Sequence, residues 1–281
     1  MSLDAPTVAA VWSWSIALAA GVHLPWTALL LLVLGTWLVY VADRILDGLL
    51  ATPSALRERH FFYARHRLKF LIASVPVAVL LLWLIVARMN SVARRDDVAV
   101  FSAALIYFCI VHVRGPAAER WLPKELAVGV VFAAATAVPA WSRLPSTGAV
   151  EAASVRLPLI VVTLFFVALC WLNCVAIEKW ERARQTRNDQ SRAHSTTRWA
   201  QMHLQTLCVA VALSAVLGAI ICRMMNDQAA IAAIFVASAL AAAGLAALDR
   251  WHAHGRPSGF GLRVAADAAM LTPLIFFLVI R

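Results

Sequence analysis

Long runs of hydrophobic residues, separated by short polar stretches, make up most of the 281-residue chain. A helix needs about 20 apolar residues to cross the hydrocarbon core of a bilayer. By this measure the pattern predicts nine membrane-spanning helices, at about residues 6–23, 26–50, 68–87, 98–113, 123–142, 156–180, 202–222, 228–248 and 264–280. Neither a Gly/Ser-rich linker nor a low-complexity stretch interrupts them. We therefore expect residues 1–281 to form one all-α transmembrane domain.

The composition agrees with a polytopic membrane protein. The chain is 62% hydrophobic and 14% charged, whereas soluble domains are about half apolar and about a quarter charged. Loops after the even-numbered predicted spans hold 16 Lys and Arg residues, and the opposite side holds 7. This bias predicts a cytoplasmic N-terminus and an outside C-terminus, in a bacterial cytoplasmic membrane. The net charge of +10 then belongs to cytoplasmic loops, and we expect no nucleic-acid partner. The start "MSLDAP" lacks the basic region of a cleaved signal peptide, so the first helix is expected to be retained.

The second predicted span ends in "YVADRILDG", residues 40–48. Asp43 and Asp47 are four residues apart and share one helix face, which Tyr40 joins one turn earlier. Ionisable groups at membrane depth are costly and commonly mark functional sites. The alternative is that these residues form a solvated helix end at the membrane surface.

The sixth predicted span ends in a similar way, with "CWLNCVAIEKWERAR". At 100° per residue, Asn173, Glu178 and Glu181 can face one cavity. Carboxylate and amide oxygens hold Mg²⁺, which bridges phosphate oxygens, and Arg and Lys neutralise the remaining charge. Both acidic clusters lead into basic loops, which also serve as positive-inside signals. The pattern predicts a membrane-embedded ligand with a diphosphate head and a hydrocarbon tail.

One more aspartate lies in an apolar segment. Asp267 falls in the last predicted span, one turn after Arg263. We expect it to make a polar contact with a neighbouring helix or with Arg263 rather than to take part directly in catalysis.

The first acidic stretch resembles a motif of the UbiA superfamily of intramembrane prenyltransferases. That family is similar in having nine helices, with aspartate-rich motifs at the cytoplasmic ends of helices two and six. Its first motif is typically Asn-Asp-x-x-Asp-Arg-x-x-Asp. In "VYVADRILD" the residues Asp43, Arg44 and Asp47 match it, while Val39 and Tyr40 replace the leading pair.

Two further stretches are similar to the family. Its second motif has Asp at intervals of four, and here these positions hold Asn173, Ile177 and Glu181. Around helices four and five the family shows a tyrosine, a basic pair and a Lys-Glu start, and Arg114 and Lys124 stand in roughly this order. Ile177 cannot bind a metal, but Glu178 is its neighbour.

The resemblance implies a bundle around a central lipid-accessible cavity and a Mg²⁺-dependent transfer of an isoprenyl group from a prenyl diphosphate to a lipophilic acceptor. The metal ligands it implies are Asp43, Asp47, Asn173 and Glu181. The diphosphate-binding residues it implies are Arg44, Arg65, Arg114, Lys124 and Arg182. Glu178 is the expected general base or a displaced metal ligand, and Tyr40 is expected to shield the allylic cation or bind a phosphate oxygen.

Three other functions stay open at this point. A membrane terpene cyclase of the same superfamily would use the donor's own double bond as the nucleophile. A non-catalytic binder or carrier of isoprenoids or other lipids is favoured by the loss of the leading Asn-Asp. A secondary transporter would normally show paired broken helices near mid-membrane, and no such pair is visible.

Overall fold

The protein is a bundle of helices in the computed structural model, which describes residues 3–50, 65–89, 91–114, 123–144, 149–182, 194–226, 229–255 and 259–275. These ranges contain no strand, in agreement with the predicted all-α class. The ten helices are α1 Asp4–Ala19, α2 Trp26–Leu50, α3 Arg67–Arg88, α4 Ser91–Arg114, α5 Lys124–Trp141, α6 Ala149–Arg182, α7 Ser195–Met202, α8 Leu204–Asn226, α9 Ala229–Ala253 and α10 Gly259–Ala269.

Six of the helices are long and apolar enough to cross a membrane. They cover Trp26–Leu46, Arg65–Arg88, Lys124–Trp141, Arg156–Arg182, Leu204–Met224 and Ala229–Ala253. These are the second, third, fifth, sixth, seventh and eighth segments predicted from the sequence. The structure therefore supports a polytopic membrane protein.

The other three predicted segments are helical but do not reach spanning length and apolarity within the described residues. Helix α1 has 16 residues, and α4 carries the charged run 94–97 in its first two turns. Helix α10 has 11 residues and gives way to a turn at 270–273. Pro273 closes that turn, and proline disfavours helical backbone at the residue before it. The predicted number of nine spans is thus not confirmed.

Apolar side chains cover the outer faces of the long helices. On α3, the side chains of Ile72, Val79 and Val86 are between 62% and 74% exposed. Soluble proteins rarely expose continuous apolar surface of this extent. Because lipid tails solvate such side chains, this surface suits a bilayer and adds to the evidence from helix length.

The buried core lies where α6 meets α1, α5 and α9. Trp12 of α1 stacks on Phe166 of α6 with ring centroids 4.3 Å apart, and its Nε1 donates to the Met270 carbonyl at 2.7 Å. Helices α5 and α6 approach closely at Gly129, where an added Cβ would lie 2.9 Å from the Trp171 backbone nitrogen. Small residues allow such close helix packing in membranes.

Helix α7 is an additional short helix that the apolar pattern did not predict. The His194 ring accepts a hydrogen bond from the Thr196 backbone N–H at 3.1 Å and caps its start. The Thr197 hydroxyl donates to the Glu125 carboxylate at 2.5 Å, so α7 is fixed to the beginning of α5. Trp199 and Met202 remain exposed.

Two open grooves lie between neighbouring helices on the outer surface. The larger, about 510 Å³, is lined by apolar residues of α8 and α9 together with Arg223. The smaller, about 340 Å³, lies between α9 and α10. Both are apolar clefts of the kind that lipid tails fill, and the central cavity implied by the family resemblance stays a prediction.

Candidate functional site at the polar end of the bundle

Charged and polar side chains gather at one end of the bundle, where α2, α6 and α9 end and where α5 and α10 begin. We call this region the polar end. Its residues come from segments far apart in the sequence, and they are joined by hydrogen bonds and ion pairs. It contains the acidic ends of both helices that the sequence analysis singled out.

On α2, Tyr40, Asp43 and Arg44 are half-buried. Arg44 Nη2 donates to the Tyr40 hydroxyl at 3.2 Å, and the guanidinium carbon lies 4.7 Å from the centroid of the Tyr40 ring. This is the i,i+4 neighbourhood that one helical turn provides, strengthened by a cation–π contact. Asp47 lies on the same helix, but its side chain is outside the described part.

A chain of contacts connects α2 to α6 through α10. Arg263 donates from Nη2 to the Tyr40 hydroxyl, although the two residues are 223 positions apart. Arg263 Nε lies 4.0 Å from Asp267 Oδ2, and Asp267 Oδ1 accepts from Asn173 Nδ2 at 3.3 Å. The first acidic motif and the second are therefore linked by two residues of the last helix.

Asp267 makes both of the contacts considered for it in the sequence analysis, one with Arg263 and one with a neighbouring helix. The prediction of a polar contact is confirmed. Asp4 at the start of α1 joins the same group, with its Oδ2 3.9 Å from Arg263 Nη2. The sequence analysis did not select Asp4, because a carboxylate near the chain start carries no signal of a distant partner.

The second motif presents an unused oxygen. Asn173 Oδ1 is buried and, among the described residues, has no hydrogen-bond partner. Such atoms are uncommon in native proteins and call for an explanation, such as a bound water, ion or ligand. Because the Nδ2 group is held by Asp267, the orientation of this oxygen is restrained.

Farther along α6, Glu178 pairs with Arg182, whose Nε donates to Glu178 Oε1. The two side chains are 16% and 18% exposed, respectively. Arg182 Nη1 is buried without a partner in the described part of the chain, which leaves a guanidinium donor for an anion. Glu181, the remaining predicted metal ligand of this helix, is half-buried.

Three further residues were predicted to contact phosphate. Arg65 precedes α3 and is exposed, while Lys124 is the half-buried first residue of α5. Arg114 ends α4, and its side chain lies outside the described residues. Their roles stay predictions.

A second polar cluster at the same end is centred on Asp249 of α9, which is 4% exposed. Lys179 Nζ lies 2.9 Å from both of its oxygens, and Trp180 Nε1 donates to Oδ1 at 3.0 Å. Gln205 Nε2 adds a bond to Oδ2 at 3.3 Å. These contacts join α6, α8 and α9, and they place Lys179 in an ion pair with a buried carboxylate.

Sequence reasoning missed Asp249, although a usable signal was present. A single carboxylate one turn before the end of an alanine-rich span is as costly as the aspartates of α2. The same argument that selected Asp43 would have selected Asp249. Its partners, however, could not be read from the spacing.

The described side chains do not form a closed cage of protein ligands around a metal ion. Within the described ranges, no group of three or more His, Cys, Asp or Glu residues is close enough to hold a metal. Mg²⁺ typically keeps several waters and binds through one or two carboxylates plus substrate phosphates. The unpartnered Asn173 oxygen and the half-buried Asp43 fit such an open arrangement.

Comparisons of the chain with protein-family models, with curated proteins and with solved structures find no match. The resemblance to intramembrane prenyltransferases therefore rests on the sequence motifs quoted above.

Proposed function

We propose that the protein is a Mg²⁺-dependent intramembrane prenyltransferase, which moves an isoprenyl group from a prenyl diphosphate to a lipophilic acceptor and releases pyrophosphate. The observation that carries this proposal is the chain of contacts Tyr40–Arg263–Asp267–Asn173, which ties together the ends of α2 and α6. Carboxylates, an oriented amide oxygen and guanidinium groups thus meet next to an apolar bundle. This combination suits an anionic head with a hydrocarbon tail.

The residues that would hold the metal are Asp43, Asp47, Asn173 and Glu181. When bound there, Mg²⁺ supplies charge neutralisation to the diphosphate and makes pyrophosphate a better leaving group. Arg44 and Arg182 bind other phosphate oxygens, since guanidinium groups match phosphate geometry. The hydrocarbon tail lies among the apolar helices, where water is scarce and an allylic cation survives longer.

The bond changes are those of an alkyl transfer. The allylic carbon–oxygen bond breaks, and its electron pair leaves with pyrophosphate. A nucleophilic atom of the acceptor forms a bond to the allylic carbon, and the proton that the acceptor loses passes to the Glu178 carboxylate. Arg182 holds this carboxylate in position through the i,i+4 ion pair.

The test is pyrophosphate release by the full chain in lipid nanodiscs supplied with Mg²⁺ and with geranyl, farnesyl or geranylgeranyl diphosphate. An Asp43→Asn/Asp47→Asn double variant should abolish release. Asp96→Asn is the matched control, because Asp96 lies on α4 away from the acidic motifs and pairs with Arg95 at 3.6 Å. The control should release pyrophosphate like the wild type.

Binding measurements separate the alternative functions. If a prenyl diphosphate binds in the presence of Mg²⁺ but no pyrophosphate is released, lipophilic acceptors are screened before transfer is tested further. Release without an acceptor, accompanied by a cyclised hydrocarbon, identifies a terpene cyclase. If the protein neither binds a prenyl diphosphate in the presence of Mg²⁺ nor releases pyrophosphate, the enzyme proposal is wrong and a carrier of neutral lipids becomes the better explanation.

A further inference from the structure

Arg263 of α10 has no part in the motifs that suggested a diphosphate site, yet it lies at the centre of the polar end. Its guanidinium and that of Arg44 both donate to one atom, the Tyr40 hydroxyl oxygen. Two cations thus share a neutral acceptor. Because a guanidinium pairs bidentately with phosphate and is attracted by its negative charge, whereas a phenol offers one uncharged oxygen, this arrangement favours a phosphate anion over the phenol.

Two carboxylates lie near Arg263, but they do not occupy its N–H groups with hydrogen bonds. Asp4 Oδ2 lies 3.9 Å from Nη2 and Asp267 Oδ2 lies 4.0 Å from Nε. Both distances exceed the 2.7–3.2 Å typical of an N–H···O hydrogen bond. These carboxylates therefore offset the charge and fix the orientation of the side chain, and the described hydrogen bond of Arg263 goes to Tyr40.

The location is suited to a diphosphate. Arg263 is connected through Asp267 to Asn173, whose buried Oδ1 has no partner among the described residues. Tyr40 and Asp43 are three positions apart on α2. An anion that replaces the Tyr40 oxygen is thus attached to a chain of contacts that ends at Asn173, one of the proposed metal ligands.

We propose that Arg263 and Arg44 form a guanidinium pair that binds the diphosphate of the substrate, and that the Tyr40 hydroxyl occupies the position of a phosphate oxygen until the substrate displaces it. This inference rests on the proposed function. It adds a binding residue from α10 and gives Tyr40 the role of a placeholder that accepts hydrogen bonds from both guanidinium groups until the substrate binds.

The experiment is calorimetric titration of the full chain in lipid nanodiscs with inorganic pyrophosphate and Mg²⁺. Arg263→Gln should weaken binding roughly tenfold to a hundredfold, as expected for the loss of a charged hydrogen-bond donor. Arg263→Lys keeps the charge but not the planar fork, and it should bind with an intermediate Kd. Arg198→Gln is the matched control, because Arg198 is an exposed arginine on α7. The Kd of this variant for pyrophosphate should stay within about twofold of the wild-type value, as expected for a surface charge.

Tyr40→Phe provides an independent test with the opposite sign. Removal of the competing hydroxyl should tighten pyrophosphate binding by at least about fivefold, because the two guanidinium–hydroxyl hydrogen bonds no longer have to be broken. Unfolding temperatures measured without ligand show whether each variant is folded. If Arg263→Gln does not fold, Arg263→Lys is used to test the role of Arg263.

The possible results are distinguishable. If the wild type binds pyrophosphate and both Arg263 variants bind it equally well, the role of Arg263 is overturned while the proposed function stands. If Tyr40→Phe weakens binding as much as Arg263→Gln does, the placeholder role is overturned. If the wild type does not bind pyrophosphate with Mg²⁺, this inference fails, and the proposed function is then decided by prenyl diphosphate binding and pyrophosphate release in the assay described above.

Discussion

Replacing Asp249 with alanine should lower the free energy of unfolding by about 3 kcal/mol, the sum of two losses. The Trp180 side chain is 1% exposed, and its N–H would lose its acceptor. An unsatisfied buried donor costs about 2 kcal/mol. Lys179 would lose its counter-charge, but its side chain is 33% exposed, so water solvates the ammonium and the loss is nearer 1 kcal/mol. Gln205 keeps its 3.0 Å bond to the Ala246 carbonyl and adds little.

Two further variants separate these contributions. Asp249→Asn retains an oxygen for the Trp180 N–H and removes only the charge, so it should cost about 1 kcal/mol. In a double-mutant cycle with Lys179→Met, the coupling energy should be at least about 0.5 kcal/mol, because the two side chains are in direct contact.

The measurement is the free energy of unfolding from reversible denaturation in mixed micelles. Asp96→Ala is the control, since the Asp96–Arg95 pair at the surface is worth between about 0 and 1 kcal/mol. A loss for Asp249→Ala no larger than that of the control, or a coupling energy near zero with Lys179, would refute the assignment of Asp249 as the group that joins α6, α8 and α9. Pyrophosphate binding by the folded fraction should be unchanged, because this cluster is separate from Arg263 and Tyr40.

Three other predictions concern local features of the helices. Gly129→Ala should destabilise the protein by about 1–3 kcal/mol, because the new Cβ would lie 2.9 Å from the Trp171 backbone nitrogen and the backbone cannot shift without cost. Gly35→Ala is the control, since no atom lies within 4 Å of the new Cβ. It should be neutral or stabilising in the same unfolding assay. Arg94→Met should lower the free energy of unfolding by about 1 kcal/mol. Arg94 Nη2 donates to three backbone carbonyls near the end of α3, at 3.1–3.3 Å. The measurement is amide hydrogen exchange, which should become faster only at that end of α3. Asp97 lies just before the predicted span 98–113, and burial raises its pKa from 3.8 to about 6. At a pH between these two pKa values, the folded state retains a proton that the unfolded state has lost. The free energy of unfolding therefore falls as the pH rises from about 4 to 6. Asp97→Asn should flatten this part of the stability profile, and an unchanged profile would show that another group titrates.

The sequence was sufficient to locate the long apolar helices and the acidic ends of α2 and α6, but not the short helix α7. Apolar runs of spanning length have few alternatives to helix, because a backbone in lipid must satisfy its own hydrogen bonds. For the same reason, Asp43 and Asp267 were visible as costly exceptions within apolar segments. The number of nine spans stays a prediction, since within the described residues α1 and α10 are short and α4 carries charges in its first two turns.

The tertiary structure alone decided which charges meet. Arg263 and Tyr40 are 223 positions apart, and Lys179 and Asp249, which form an ion pair, are 70 positions apart. Helical periodicity relates residues within about one turn of each other, but it carries no information on which helix packs next to which. Partner choice follows from close packing at small residues such as Gly129 and from the cost of leaving a buried charge unpaired. The sequence therefore determined which residues needed partners, and the packing of the helices determined which partners they found.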